Sequence, residues 1–206
     1  MPLAGLSAGL RAEHDDLQSV QSLEWSWSMA CDLGSADRDD SQRYALNRQY
    51  FDQGATSVCG RKRGAKTQAI GRSRGGLTTK IHAISDSKGR LYRFSLTPGN
   101  VADVTAAYDL VPSLPPKGCV IADMGYDATE FRQQLAFRGT ATVIPTNPTR
   151  KQAWSIDWNA YKQRNLVERM FNRLKDFRRI ATRYDRLARN FLASVCLVAA
   201  IIWWIL

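Results

Sequence analysis

An α/β fold is what this sequence predicts, and three stretches carry the prediction. Residues 77–86 (LTTKIHAISD) and 91–97 (LYRFSLT) are strand-like runs joined through Ser-Lys-Gly, a hairpin signal. The apolar run CVIA at 119–122 is short and unbroken, the pattern of a strand buried on both faces. Residues 161–177 repeat instead with a helical period. At about 100° per residue, Leu166, Val167, Met170, Phe171, Leu174 and Phe177 spread over roughly 140° to 280° of the helical wheel, the width of a core-packing face. A hairpin, then helix and strand in alternation, then a long helix is an α/β order.

Taken from its start, the chain first shows no sustained period. Residues 1–60 set Trp25 and Trp27 among serines and acids, so this segment is expected to be poorly ordered, with local helix at most around 12–23. The character changes at Arg61. RKRGAKTQAIGRSRGG (61–76) is basic and Gly-rich, which disfavours core packing but offers guanidinium forks and backbone N–H groups to phosphates; a solvated linker has the same composition. His82, inside the first hairpin strand, is expected to be a packed or surface residue rather than a ligand. After the hairpin, Pro98-Gly99-Asn100 breaks the chain, Asp103 is placed to favour a helix N-terminus, and that helix stops near Pro112. The strand at 119–122 delivers Asp123, then Gly125 and Asp127 turn the chain, Asp127 being the better helix cap of the two acids. A helix over 129–138, a strand over 141–145 and a polar loop through Asn147, Pro148 and Trp154 follow. Residues 191–206 (FLASVCLVAAIIWWIL) are apolar throughout, short of the roughly 20 residues of a membrane span, and are expected to close the core or a partner interface.

Composition narrows the partners. The 206 residues are 44% hydrophobic and 23% charged, an ordinary globular balance with length enough for a sizeable core. A net charge of +10 implies a polyanionic partner. Residues 1–60 hold four arginines against nine acids, so the basic surplus belongs wholly to the remainder. Cys31, Cys59, Cys119 and Cys196 are far apart with no CxxC spacing and no nearby His, which argues for reduced cytoplasmic thiols and against a zinc centre. No basic segment leads into an apolar run at the N-terminus, so no signal peptide is expected.

The segment YKQRNLVERMFNRLK (161–175) is more specific. Tyr161, Arg164, Glu168 and Lys175 fall at roughly 0°, 300°, 340° and 320° on the wheel, one narrow stripe. Arg164 and Glu168 alone would be an ordinary i, i+4 pair on a solvated helix. The complete pattern Tyr-x-x-Arg-x-x-x-Glu-x-x-x-x-x-x-Lys resembles the signature around the last acidic residue of DDE transposases of bacterial insertion sequences, of the family-four and family-five type. RRIATRYDRLARNFLA (178–193), GRSRGGLTTKIHA (71–83) and ADMGYDA (122–128) are similar to the same family. The resemblance covers roughly residues 60–206, which makes 61–206 a partial catalytic domain and 1–60 a non-matching segment.

This resemblance implies a ribonuclease H-like mixed sheet flanked by helices, with Asp123 as the middle and Glu168 as the last of three metal-binding, catalytic acids. It implies Mg²⁺ or Mn²⁺ as well. In-line cleavage and joining of DNA strands uses two divalent ions about 3.5–4 Å apart, and hard ions prefer carboxylate oxygens. Tyr161, Arg164, Lys175, Arg72, Arg74, Lys80, Arg178, Arg179 and Arg183 become the signature groups and the supply of phosphate contacts, which position DNA without reading its sequence. Where the family usually has Lys after the middle acid, this chain has Met124.

The first acid is not found. In the family it sits in an Ile-Asp-Ser-Thr-like strand before the GRSRGG stretch, at an offset that lands close to Arg48 within ALNRQYF (45–51). Codons for Leu-Asn-Arg-Gln-Tyr read one nucleotide later permit Leu-Ile-Asp-Ser-Thr. The chain is therefore expected to be a frame-shifted or truncated product, with family sequence starting between Cys59 and Arg61 and a sheet incomplete at its N-terminal strand. Asp40 and Asp52 lie nearby but do not resemble the motif. The function expected is DNA transposition by metal-dependent cleavage and strand transfer at insertion-sequence ends, impaired here. Its partners would be element ends, target DNA and, in a complete form, further copies of the chain, all in the cytoplasm at the nucleoid. A DNA-binding remnant without catalysis is the alternative. A membrane-associated protein anchored by 191–206 ranks last.

Overall fold

The computed structural model describes residues 43–53, 68–151 and 153–205. Among them, seven strands form one mixed sheet. The middle strand, β1 (Arg43–Gln53), pairs antiparallel with β3 (Gly76–Ser85) and parallel with β5 (Cys119–Ala122), which pairs parallel with β6 (Ala141–Val143). β2 (Gly71–Ser73) and β4 (Leu91–Pro98) take successive stretches of β3, and β7 (Thr182–Arg183) adds to the end of β1. The helices are α1 (Asp103–Leu110), α2 (Thr129–Phe137), α3 (Trp158–Tyr161), α4 (Asn165–Lys175), α5 (Arg178–Ala181) and α6 (Ala188–Ala200).

Two apolar layers sandwich the sheet. Tyr44, Leu46, Ile84 and Val120 pack with Leu110 of α1 and with Phe131 and Leu135 of α2. On the opposite face, Ala45, Phe51 and Ile81 pack with Val167, Met170, Phe171 and Leu174 of α4 and with Phe191 and Val195 of α6. The hairpin, the helix at Asp103, the buried strand before Asp123 and the helix at 129 all stand where the sequence placed them.

β1 corrects two expectations. The sheet is not incomplete at its N-terminal strand, and residues 43–53 are not aperiodic tail but its central element. A strand in mid-sheet is covered on both faces, so it needs no alternation of polar and apolar residues. Tyr44, Ala45 and Leu46 are all buried, and the polar run from Asn47 to Gln49 then hides the strand from a periodicity test. The aperiodic stretch 1–42, the possible helix at 12–23, Asp40, Cys31, Cys59, the basic run up to 67 and the side chain of Asp52 lie outside the described residues.

The segment 161–177 is not one regular helix. α3 ends at Tyr161, a 3₁₀ turn covers Lys162–Arg164, and α4 begins at Asn165. The tighter turn breaks a wheel drawn at 3.6 residues per turn. Within α4 the expected face holds: Val167, Met170, Phe171 and Leu174 are buried, and Phe177 packs beyond its end. Asp157 caps α3, its carboxylate accepting from Asn159 N–H at 2.9 Å and Ala160 N–H at 3.1 Å.

At the C-terminal end, the helical segment Ala188–Ile205 is long and apolar enough to cross a membrane by length and composition. Its Phe191, Val195 and Val198 are nevertheless built into the second core layer. Cys119 and Cys196 are free thiols, and burial pushes the Cys119 thiol up.

Gly99 is needed where the chain leaves β4. Its N–H donates to Thr78 O at 3.1 Å, and an added Cβ would collide with the Thr78 hydroxyl. Gly99→Ala is expected to destabilise the fold by about 1–3 kcal/mol, as overpacking does. An unchanged urea midpoint would show that the turn yields without cost.

Candidate active site

Adjacent parallel strands deliver their residues to the same end of a sheet, where ligands gather in α/β folds. Leu46 of β1 stands opposite Ala122, the last residue of β5, so Arg48, farther along β1, lies beside Asp123 where that strand ends. Side chains alternate along a strand, which puts Arg48 on the face of Tyr44 and Leu46, beneath α1. Arg48 is also opposite His82 in the β1–β3 register, and Lys80 lies on that same face. Asp103 opens α1 there, where the helix dipole favours a carboxylate.

These placements make a chain of four charges. Lys80 Nζ lies 3.0 Å from Asp103 Oδ1, Arg48 Nε 2.7 Å from Asp103 Oδ2, and Arg48 Nη1 donates to Asp123 Oδ2 at 3.1 Å. Despite its short distance, Arg48 Nε is not aimed at the carboxylate and makes no hydrogen bond. Burial by itself would lower the Arg48 guanidinium; Asp103 and Asp123 outweigh it and hold the group above its ordinary pKa. Gly125 lets the 3₁₀ turn Met124–Tyr126 rest on this cluster, because a Cβ there would sit 3.1 Å from both Arg48 Nη1 and Asp103 Oδ2.

Beneath the charges lies a neutral layer. His82 is fully buried, with Nδ1 3.3 Å from the Tyr126 hydroxyl and Nε2 2.7 Å from Thr97 Oγ1. Burial, then the nearby Lys80 and Arg48 charges, push its pKa down to about 3, so it is a neutral packed residue as expected. Burial first, then Asp103, and also Asp123, raise the Tyr126 phenol above its ordinary pKa, against the opposing Arg48 charge.

Asp123 also accepts from Gly125 N–H at 3.3 Å, so it caps its turn and joins the charged cluster at once. Asp127 does not cap α2 by a side-chain bond. Its buried carboxylate takes Arg132 Nε at 2.8 Å, Arg150 Nε at 2.9 Å and Asn147 N–H at 2.8 Å, stapling the turn to the loop after β6.

Glu168 stands on α4 with Oε1 2.7 Å from Arg164 Nη2, and the Arg164 guanidinium lies over the Tyr161 ring at 5.5 Å. Burial pushes the Tyr161 phenol up, Arg164 opposes this, and both Asp123 and Glu168 add to it. Tyr161 therefore stands in the field of both acids. Lys175 lies elsewhere, over the Phe51 ring at 5.6 Å.

Two members of the expected phosphate-contact set are corrected. Lys80 is buried and spends its ammonium on Asp103 and, at 2.6 Å, on Val101 O. Arg183 is fully buried and donates to Thr79 Oγ1, Gln68 O and Asp185 O at 2.6, 2.9 and 2.9 Å. Both lie on strands whose cationic positions face inward, which composition does not reveal. Arg72, Arg74, Arg178 and Arg179 are exposed, Arg179 sharing Asp185 at 2.9 Å. Asp103 and Arg48 are the cluster members that sequence reasoning did not assign to the site. An acid opening a helix looks like any other dipole partner, so no local signal marks Asp103.

A pair of divalent ions needs carboxylate oxygens free to face it. Here Arg48 lies against Asp123, Arg164 lies against Glu168, and no group of three or more His, Cys, Asp or Glu side chains suited to a metal exists among the described residues. The residues present do not fit a two-ion centre.

The sequence profile of the family described as Transposase DDE domain matches residues 48–203. That match starts within the segment that composition sets apart, not at Cys59 to Arg61, in agreement with the place of β1. A Brucella ovis protein named as a transposase for insertion sequence element IS6501 is 42% identical over 128 residues, covering 62% of this chain and 98% of its own length. A Burkholderia cepacia protein named as a transposase for IS402 is 33% identical over 137 residues, 61% of this chain and 63% of that protein, so the chain spans less than two thirds of it. Among solved structures, the piggyBac transposase synaptic complex with hairpin DNA has a TM-score of 0.56 at 10% identity, over 97% of this chain and 53% of that one. That likeness is one of fold. The mixed sheet flanked by helices is ribonuclease H-like.

Proposed function

The chain belongs to the transposase DDE domain family, whose activity is DNA transposition, and we propose that it is a DNA-binding member acting at insertion-sequence ends with impaired cleavage and strand transfer. One observation carries the reading. On β1, beside Asp123, where the family resemblance puts the first metal-binding acid, stands the cation Arg48. With Arg48 against Asp123 and Arg164 against Glu168, the two remaining acids are already paired with cations rather than free for a divalent ion. The chain's own residues bind and orient DNA: exposed Arg72, Arg74, Arg178 and Arg179 meet phosphates, with Tyr161 and Arg164 beside Glu168. Further copies of the chain would be needed to bring two element ends together. A place in the cytoplasm follows from the DNA substrate, and the packing of α6 into the core supports it over a membrane anchor.

Incubation of a supercoiled plasmid carrying element ends with the purified chain and Mg²⁺ or Mn²⁺ tests this. The expected result is retention of the DNA, weakening steeply as salt rises, with nicking no faster than that of Glu168→Gln. Metal-dependent nicking that Glu168→Gln abolishes would instead identify an active enzyme, and failure to retain DNA would end the reading. A separate measurement addresses the origin of Arg48. If the upstream nucleotides, read in the shifted frame, encode no Asp in the window around residue 48, the frame-shift explanation is wrong.

A further inference from the structure

We propose that the Arg48 guanidinium is a resident cation holding the position between Asp103 and Asp123 that a divalent ion would need, and that Asp103 is a member of this site. The proposal deepens the reading above, which takes this end of the sheet as the acid site; its geometry does not depend on DNA.

Three observations support it. One planar group meets carboxylates from two separate elements, Asp103 Oδ2 at 2.7 Å from Nε and Asp123 Oδ2 at 3.1 Å from Nη1. Two acids converging on a single positive centre is the arrangement a metal ion imposes, and here an arginine satisfies it. Second, the Asp103 contact lacks an aligned hydrogen bond, so charge rather than fork geometry holds the guanidinium there. Third, the cluster is already neutral. Lys80 takes the other oxygen of Asp103, so two acids face two cations whose side chains are 6% and 24% exposed. A divalent ion entering this cluster would be repelled by a fixed guanidinium, and displacing Arg48 would leave a partly buried cation without its partners.

Removing Arg48 should therefore uncover an affinity that the wild-type chain lacks. Mn²⁺ is titrated into the full-length chain without DNA, following heat and thermal unfolding. The wild type is expected to show no saturable binding up to millimolar Mn²⁺ and no rise in melting temperature. Arg48→Ala is expected to gain saturable binding, with a melting temperature that climbs with Mn²⁺ as mass action requires. Adding Asp103→Asn to that variant should weaken the gained binding at least tenfold. Arg48→Gln, which keeps most of the side-chain stem, serves if the alanine variant does not fold. Wild-type binding as tight as that of Arg48→Ala or Arg48→Gln would overturn the proposal, as would no gain in either variant. A gained site indifferent to Asp103→Asn would remove Asp103 from it. Loss of DNA retention would refute the functional reading and leave these titrations untouched.

Discussion

Asp127→Ala is expected to destabilise the folded chain by about 3–5 kcal/mol at neutral pH, the usual cost of stranding a buried ionic partner. Its carboxylate is fully buried and is the meeting point of Arg132, Arg150 and the Asn147 N–H. Without it Arg132, 7% exposed at the side chain, keeps the Ile144 carbonyl at 2.7 Å and the face of the Trp154 ring at 5.3 Å but no carboxylate. The effect has a definite pH dependence. Burial works to raise the Asp127 pKa, but the Asn147 N–H and the two arginines outweigh it and hold it below the ordinary carboxylate value. A depressed folded-state pKa contributes stability that is complete above the unfolded value of about 3.9 and is lost as pH falls through the folded value. Urea midpoints of wild type and variant should thus differ by a constant amount from neutral pH down to about 5 and converge at lower pH. An undiminished gap at the acid end would mean that lost packing, not lost charge, causes the effect. Because Asp127 anchors the turn that starts at Asp123, the variant should also loosen the contact of Gly125 with Arg48.

Arg183→Met is the second large effect, about 3 kcal/mol or more of stability. Two terms compete. Removing a buried guanidinium recovers its desolvation cost, and burial, against the opposing Asp185 charge, does lower the Arg183 pKa to about 10. Against this, the group donates to Thr79 Oγ1, Gln68 O and Asp185 O, tying β3, β7 and the chain before β2 together. Each bond from a charged donor contributes about 1.5–3 kcal/mol, and each stranded buried acceptor costs about 1–3 kcal/mol, so the loss dominates. Arg183→Lys should rescue little, since one ammonium cannot reach three oxygens spread around a planar fork. Chemical denaturation of the three proteins decides the matter. A methionine variant as stable as wild type would show that the buried charge is a net burden.

The hairpin, α1, β5 with Asp123 at its exit and the apolar face of α4 were legible because each carries its own local pattern. Turn residues at Ser87-Lys88-Gly89, the unbroken CVIA run and the spacing of Val167, Met170, Phe171 and Leu174 depend on no distant partner. The signature around Glu168 and the turn after Asp123 were legible for the same reason, as contiguous motifs. β1 was not, since a strand shielded on both faces by elements far along the chain has no polarity rhythm of its own.

By itself, then, the sequence determined the α/β class and the family and singled out two acids as candidates, because these are written in short stretches whose physics is local. Only the tertiary structure decided what surrounds those acids. It brought Arg48 and Lys80 from neighbouring strands and Asp103 from a helix start to within ion-pair distance, and it turned Lys80 and Arg183 inward. Charge acts through space between residues that strand pairing juxtaposes, and no window along the chain contains that pairing.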